Sequence, residues 1–233
     1  MFFRPFLTIF TVKKNKYLYH FTIFHSSLFV FHFFVVPLQR NMYLLMDAKL
    51  EHTNVQFRQA MAQCRELFSK KLKDYGAAWR IMRPSSVTDQ IFIKANRIRS
   101  LEIKGEALVD EGIFPEFQGI VNYGIVALIQ LEHGFAEVED MTPDEALAEY
   151  DRQAERALQL MIRKNHDYDE AWRSMRVSSY TDLILMKIYR TKEIEANDGQ
   201  TIVSEGIDAN YLDMINYSVF GLIKLTEANE QTA

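Results

Sequence analysis

The chain has 233 residues, with 31 acidic and 27 basic side chains, a net charge of −4 and one cysteine. That balance excludes an extended basic surface for nucleic acid, and a lone thiol excludes a disulfide framework. Cys64 suits a reducing cytoplasm, and its place among Ala60, Met61, Leu67 and Phe68 reads as core rather than nucleophile.

Met1 to Met46 stands apart from the rest. It has no Asp or Glu and ten Phe, and its apolar run from Tyr17 to Leu38 is long enough for a membrane span, with Lys13, Lys14 and Lys16 as a flank. Three histidines and two serines interrupt that run, and no small-x-small cleavage site follows it. The segment reads as a non-native extension, with Met46 before Asp47-Ala48-Lys49 as the natural start, or else as a weak membrane segment. Without it the body is acidic, at about −9 by counting charges.

The body says one phrase twice. Asp74-Tyr75-Gly76-Ala77-Ala78-Trp79-Arg80-Ile81-Met82-Arg83-Pro84-Ser85-Ser86-Val87-Thr88-Asp89 returns at Asp167 to Asp182 with eleven of sixteen positions identical. Around it, each repeat reads as three helices. Val55, Phe57, Met61, Cys64, Leu67, Phe68 and Leu72 recur at helical spacing from about Asn54 to Lys73. After the phrase, Ser85 or Ser86 is expected to cap a second helix that stops near Gly105, and a third, apolar helix begins around Phe117. Beyond the linker from Glu132 to Met141, Thr142-Pro143-Asp144-Glu145 spells a capping box, and the pattern repeats over Leu147 to Lys164, Ser179 to Glu195 and Asp208 to Glu227. The expected fold is all-α: repeats over residues 47–134 and 141–233, packed as a pseudo-twofold helical bundle.

Lys94 and Arg97, like Lys187 and Arg190, lie three apart and project from one helical face, able to grip a phosphate or a carboxylate. Asp89 and Asp182 fall near the same face. These residues suit either an anion site or an internal ion-pair network with Glu102 and Glu195. Arg80, Arg83, Arg173 and Arg176 beside a helix start favour anion recognition. Trp79 and Trp172 suit base stacking or packing. Glu205, Asp208 and Asp213, with Asn216 a turn beyond Asp213, offer hard oxygen ligands for Mg²⁺ beside a bound phosphate, or simply favour a helix start. His166, beside Asp167, is a weak candidate base. No glycine-rich phosphate loop, zinc pattern or catalytic triad signature is present.

Lys164-Asn165-His166-Asp167-Tyr168, then Glu205 and Asp213-Met214-Ile215-Asn216-Tyr217, resembles the nucleotide modification associated domain 1 family (DUF1599), a family of small, mostly helical proteins. Repeat one offers Lys73-Asp74-Tyr75-Gly76, Asp110-Glu111 and Asn122-Tyr123, with Gly119 where the last motif has an acid. Repeat two has Asp213 there, but Asp169 replaces the motif glycine and Ser204 the first acid of the pair. Neither copy is complete, which implies a composite site or one active copy. The layout also resembles all-α nucleoside triphosphate pyrophosphatases, without their Glu-x-x-Glu signature. The resemblance implies a small phosphorylated ligand or nucleotide as partner and a role in nucleotide metabolism or modification, with Mg²⁺ as the implied cation. The rival expectation is a non-catalytic helical module that binds another protein. The sequence is silent on the reaction and on the oligomeric state.

Overall fold

The computed structural model describes residues 7–14, 17–24, 35–105 and 112–232. The chain divides into two compact units, Met1–Ala48 and Lys49–Ala233. In the first, β1 (Leu7–Lys14) and β2 (Tyr17–Phe24) pair antiparallel, Leu7 opposite Phe24 and Lys14 opposite Tyr17. Both strands are rich in β-branched and aromatic residues, the composition that suits a pleated surface. The start of the long apolar run is thus strand, and residues 25–34 lie outside the described residues. Among the described residues, no helix is long and apolar enough to cross a membrane.

The second unit is all-α. Helix α1 (Val35–Tyr75) contributes its residues from Lys49 on, followed by α2 (Pro84–Lys104), α3 (Phe114–His133), α4 (Pro143–Tyr168), α5 (Val177–Ala196) and α6 (Ile207–Thr232). The repeated phrase forms a short 3-10 turn in each copy, Ala78–Ile81 and Ala171–Ser174. Ser85 and Ser86 do not cap α2. Pro84 occupies its first turn, where a fixed φ and a missing N–H cost nothing, and Arg83 holds the cap position without a side-chain bond. Thr142 does form the expected capping box: its Oγ1 accepts from the Glu145 N–H, and Glu145 accepts from the Thr142 N–H. Gly105 ends α2 at φ 70°, a left-handed conformation that suits glycine.

Helices α3 and α6 pack against each other at the centre, with α2 and α5 paired beside them and α4 touching both central helices. The close approach of α3 to α6 needs Gly124, where a Cβ would lie 2.7 Å from Ile215. Helix α3 is buried on most of its surface, as its apolar sequence implies. Phe57, Cys64, Ile91, Ile98, Phe117, Ile125, Tyr150, Ile184, Tyr211 and Ile215 belong to one continuous core, drawn from every helix of the unit. The two repeats correspond element by element: α1–α2–α3 matches α4–α5–α6, as expected for the pseudo-twofold bundle.

Candidate functional site

The most conspicuous part of the repeated phrase is a structural lock. Arg80 is 2% exposed; its Nε donates to Asp140 Oδ1 at 2.8 Å and its Nη1 to the Gly134 carbonyl at 2.7 Å and to Gln130. Gln130, on α3, donates to the carbonyls of Arg80 at 3.0 Å and Met82 at 2.5 Å. In the second repeat Lys224, at the same place on α6, donates to the carbonyls of Arg173 at 2.7 Å and Met175 at 2.6 Å. Both long donors satisfy carbonyls that the short turn leaves unpaired. Arg173 donates to Glu227 at 3.1 Å, Thr53 at 2.7 Å and Gln56 at 2.6 Å, and also to Glu170. Trp172 is buried, stacked on Phe220 with centroids 4.3 Å apart, and Arg173 lies over its ring at 4.3 Å. Trp79 packs on Phe68 at 6.2 Å. Arg80 and Arg173, expected at a ligand, and Trp79 and Trp172, expected either to stack on a base or to pack, are therefore engaged in internal contacts.

Asp89 and Asp182 also serve the fold. Lys192 Nζ lies 2.6 Å from Asp89, and Arg99 Nη2 lies 2.6 Å from Asp182, so the same pair is made twice across the α2–α5 contact. The buried threonines before them do likewise. Thr88 donates to Glu195 at 2.6 Å and Thr181 to Glu102 at 3.1 Å. Each helix gives its aspartate and threonine to the other's basic residue and glutamate, the reciprocity of an isologous interface. The two copies differ at Tyr211, whose hydroxyl lies 2.5 Å from Thr88 Oγ1; the matching Phe117 has none. Partial burial of Glu102 raises its carboxyl pKa above the ordinary value, opposed by the Thr181 hydrogen bond.

The lysine–arginine pairs are where the repeats diverge. In repeat one Lys94 Nζ sits 3.1 Å from Glu116 Oε2, and Arg97 bonds Oε1 of the same buried carboxylate. In repeat two the residue matching Glu116 is Asn210, and the acid stands one turn later at Asp213, in the place of Gly119. Buried Lys187 lies 2.7 Å from Asp213 Oδ2, and Lys164 takes Oδ1. Arg190, half-buried, has no hydrogen bond or ion pair among the described residues. Asn210 is 0% exposed; its Nδ2 donates to the Gly206 carbonyl at 2.9 Å and its Oδ1 has no partner.

Asn216 repeats this imbalance. Its counterpart Asn122 donates to the Cys64 carbonyl at 3.1 Å and accepts from the Tyr150 hydroxyl at 2.9 Å. Phe57 stands at the place matching Tyr150, and both amide atoms of buried Asn216 are without partners among the described residues. Burial raises the Tyr217 pKa, and the charges of Asp213 and Glu205 and the Tyr168 phenol push it in the same direction. Lys164, Tyr168, Glu205, Asp213 and Tyr217, from the separate stretches that carry the family motifs, thus share one neighbourhood.

The remaining expected residues divide between solvent and other pairs. Asp74, Arg83 and Arg176 are exposed. Tyr168 is exposed, and Asp167 meets only His166, at 3.2 Å in solvent. The magnesium set does not assemble. Asp208 faces Arg156 at 3.4 Å, both Asp213 oxygens are held by lysines, and Glu205 is exposed. Among the described residues, the carboxylates and imidazole that converge are Glu132, His133 and Glu149. Arg152 and Arg156 already neutralise that cluster. Glu205, Asp208 and Asp213 therefore do not fit a preformed Mg²⁺ site. Asp110 and Glu111 lie outside the described residues.

Sequence reasoning passed over Glu116, Asn210, Gln130 and Lys224. The signal was available for two of them, because Gln130 and Lys224 occupy matching positions and both carry a long side chain that donates. No curated protein and no solved structure matches the chain. The duplicated helical units carry the motif residues at matching places, and the nucleotide modification associated domain 1 family matches residues 71–131 and 164–225, more than half of the chain. With two copies of its domain in tandem, the chain belongs to the nucleotide modification associated domain 1 family.

Proposed function

We propose that the second repeat binds a small phosphorylated ligand of the nucleotide class, with Arg190 as its anion contact and Lys164, Lys187, Tyr168 and Asn216 around it. One observation carries this reading: Arg190 lacks the carboxylate that its counterpart Arg97 has in Glu116. The planar fork of a guanidinium that has no counter-ion among the described residues matches a phosphate. Two further cations, Lys164 and Lys187, share one buried carboxylate, Asp213. Asn216 adds a buried amide able to donate and accept once a partner arrives. The family's description supports a nucleotide over a simple carboxylate ligand.

The rival reading, a non-catalytic interaction module, accounts for Arg80, Arg173, Asp89 and Asp182 but leaves Arg190, Asn210 and Asn216 unexplained. A thermal-shift screen with nucleoside mono-, di- and triphosphates, each with and without Mg²⁺, separates the two. A ligand at a hundred times its Kd adds about 2.7 kcal/mol of stability. The shift should persist without Mg²⁺, because Asp213 is already neutralised by lysines, and Arg190→Ala should abolish it. No shift with any of these ligands gives the protein to the rival reading.

A further inference from the structure

We infer that Glu116 is a built-in substitute for the ligand's anion, so that the first repeat is closed by its own carboxylate and the chain takes one oxyanion rather than two. This rests on the reading of the second repeat as the ligand-binding copy.

Positions 94, 97, 116 and 119 of the first repeat match 187, 190, 210 and 213 of the second. In the first, one carboxylate serves both cations: Glu116 Oε1 takes Arg97, and Oε2 lies 3.1 Å from Lys94 Nζ. The lysine stem passes beside Gly119, where a Cβ would meet Lys94 Cδ and Cε at 3.4 Å, an ordinary contact, while a carboxylate extending further from that position would compete with Glu116 for the lysine. In the second repeat both positions change together. Asp213 draws Lys187 one turn along α6, at 2.7 Å, and residue 210 becomes an asparagine, shorter by one methylene and uncharged. Asn210 turns its amide back onto the Gly206 carbonyl, leaving its own Oδ1 unpaired in the interior. Without an acid at 210, Arg190 lacks the carboxylate that Arg97 has, and Asn216, whose amide has no partner among the described residues, stands on the same helix as Asn210. The exchange of Glu116 and Gly119 for Asn210 and Asp213 is therefore a switch between a copy whose arginine has its own carboxylate and one whose arginine has none among the described residues.

Calorimetric titration of the full chain with inorganic pyrophosphate tests this. The wild type should bind one equivalent, and Arg190→Ala none. Asn210→Glu, which hands Arg190 an internal carboxylate, should weaken binding about 100-fold, or about 2.7 kcal/mol. The double variant Glu116→Asn, Gly119→Asp should bind a second equivalent, lost again when Arg97→Ala is added. Two equivalents in the wild type, or undiminished binding by Asn210→Glu, overturns the inference while leaving the second repeat a binding site. A double variant that folds, by circular dichroism, yet keeps one equivalent does the same. No binding by the wild type overturns the reading of the second repeat and this inference with it.

Discussion

Lys187 Nζ sits 2.7 Å from Asp213 Oδ2, and neither side chain is more than 7% exposed. Two opposite charges taken out of water are tolerable only as a pair, so removing one partner exposes the full cost of the other. Asp213→Asn should lower stability by about 3–5 kcal/mol in urea denaturation. The double change Lys187→Met, Asp213→Leu should recover most of that loss, since the charge that loses its partner, Lys164, is 42% exposed and stays hydrated. A single change as mild as the double one would mean that the pair is not desolvated in solution.

Arg80 and Arg190 should separate stability from binding. Arg80→Ala leaves Gln130, Asp140 and the Gly134 carbonyl without their donor, and should cost about 2–4 kcal/mol with ligand binding retained. Arg190→Ala removes no contact among the described residues and should leave the denaturation midpoint within about 0.5 kcal/mol while ligand stabilisation disappears. Parallel melts of the two variants, with and without nucleotide, decide it.

Burial pushes the Cys64 thiol up to about 12. The thiolate is the reactive form, so at neutral pH this cysteine should react with a disulfide reagent only when the native structure opens. Its labelling rate should rise with denaturant in step with unfolding. Fast labelling of the native protein would contradict the packing of α1.

Glu102 gives a pH test with a fixed sign. Its carboxyl pKa is raised in the folded protein, chiefly by burial, so ionisation is less favourable there than in the unfolded chain. Its contribution to stability thus falls as the pH rises from the ordinary glutamate range through the raised folded value. Glu102→Gln keeps an oxygen for the Thr181 hydroxyl and loses that penalty. Relative to wild type, the variant should gain stability toward pH 7 and lose the advantage as the pH drops below 4.5, followed by urea melts across that range.

The unit from Lys49 has its own core, with Phe57 through Ile223 contributing to it. A chain started at Met46 should retain cooperative unfolding and a helical circular dichroism spectrum. Non-cooperative melting would show that the preceding residues are needed for that core.

How much of this could be read beforehand depended on where each residue finds its partner. Thr142 and Glu145 are three apart and Gly105 acts on its own helix end, so local rules located both. The apolar period likewise found the helices, because burial imposes it directly. Arg80 failed as a ligand residue because its partners, Gln130 and Asp140, arrive from 50 and 60 positions away. Asp89 looked like a companion of Arg97 on one face, yet its partner is Lys192 on the opposite helix. Polar residues in a repeated phrase advertise recognition of something; whether that something is a ligand or the other half of the chain is decided by packing. The departures from repetition, Asn210 for Glu116 and Phe57 for Tyr150, were the better guide to a site.

The linker between the halves is itself tied down: Ala136 N–H donates to the Arg80 carbonyl at 2.8 Å and Glu139 accepts from the Ala77 N–H at 2.7 Å. A short tether fastened in this way holds the second half against the first at an effective concentration in the millimolar range or above, whatever the amount of protein in solution. Two free copies would have to form the α3–α6 contact at whatever concentration they reached, whereas tethered copies form it within one chain. Because they are encoded separately, each half is also free to keep a residue that the other has lost.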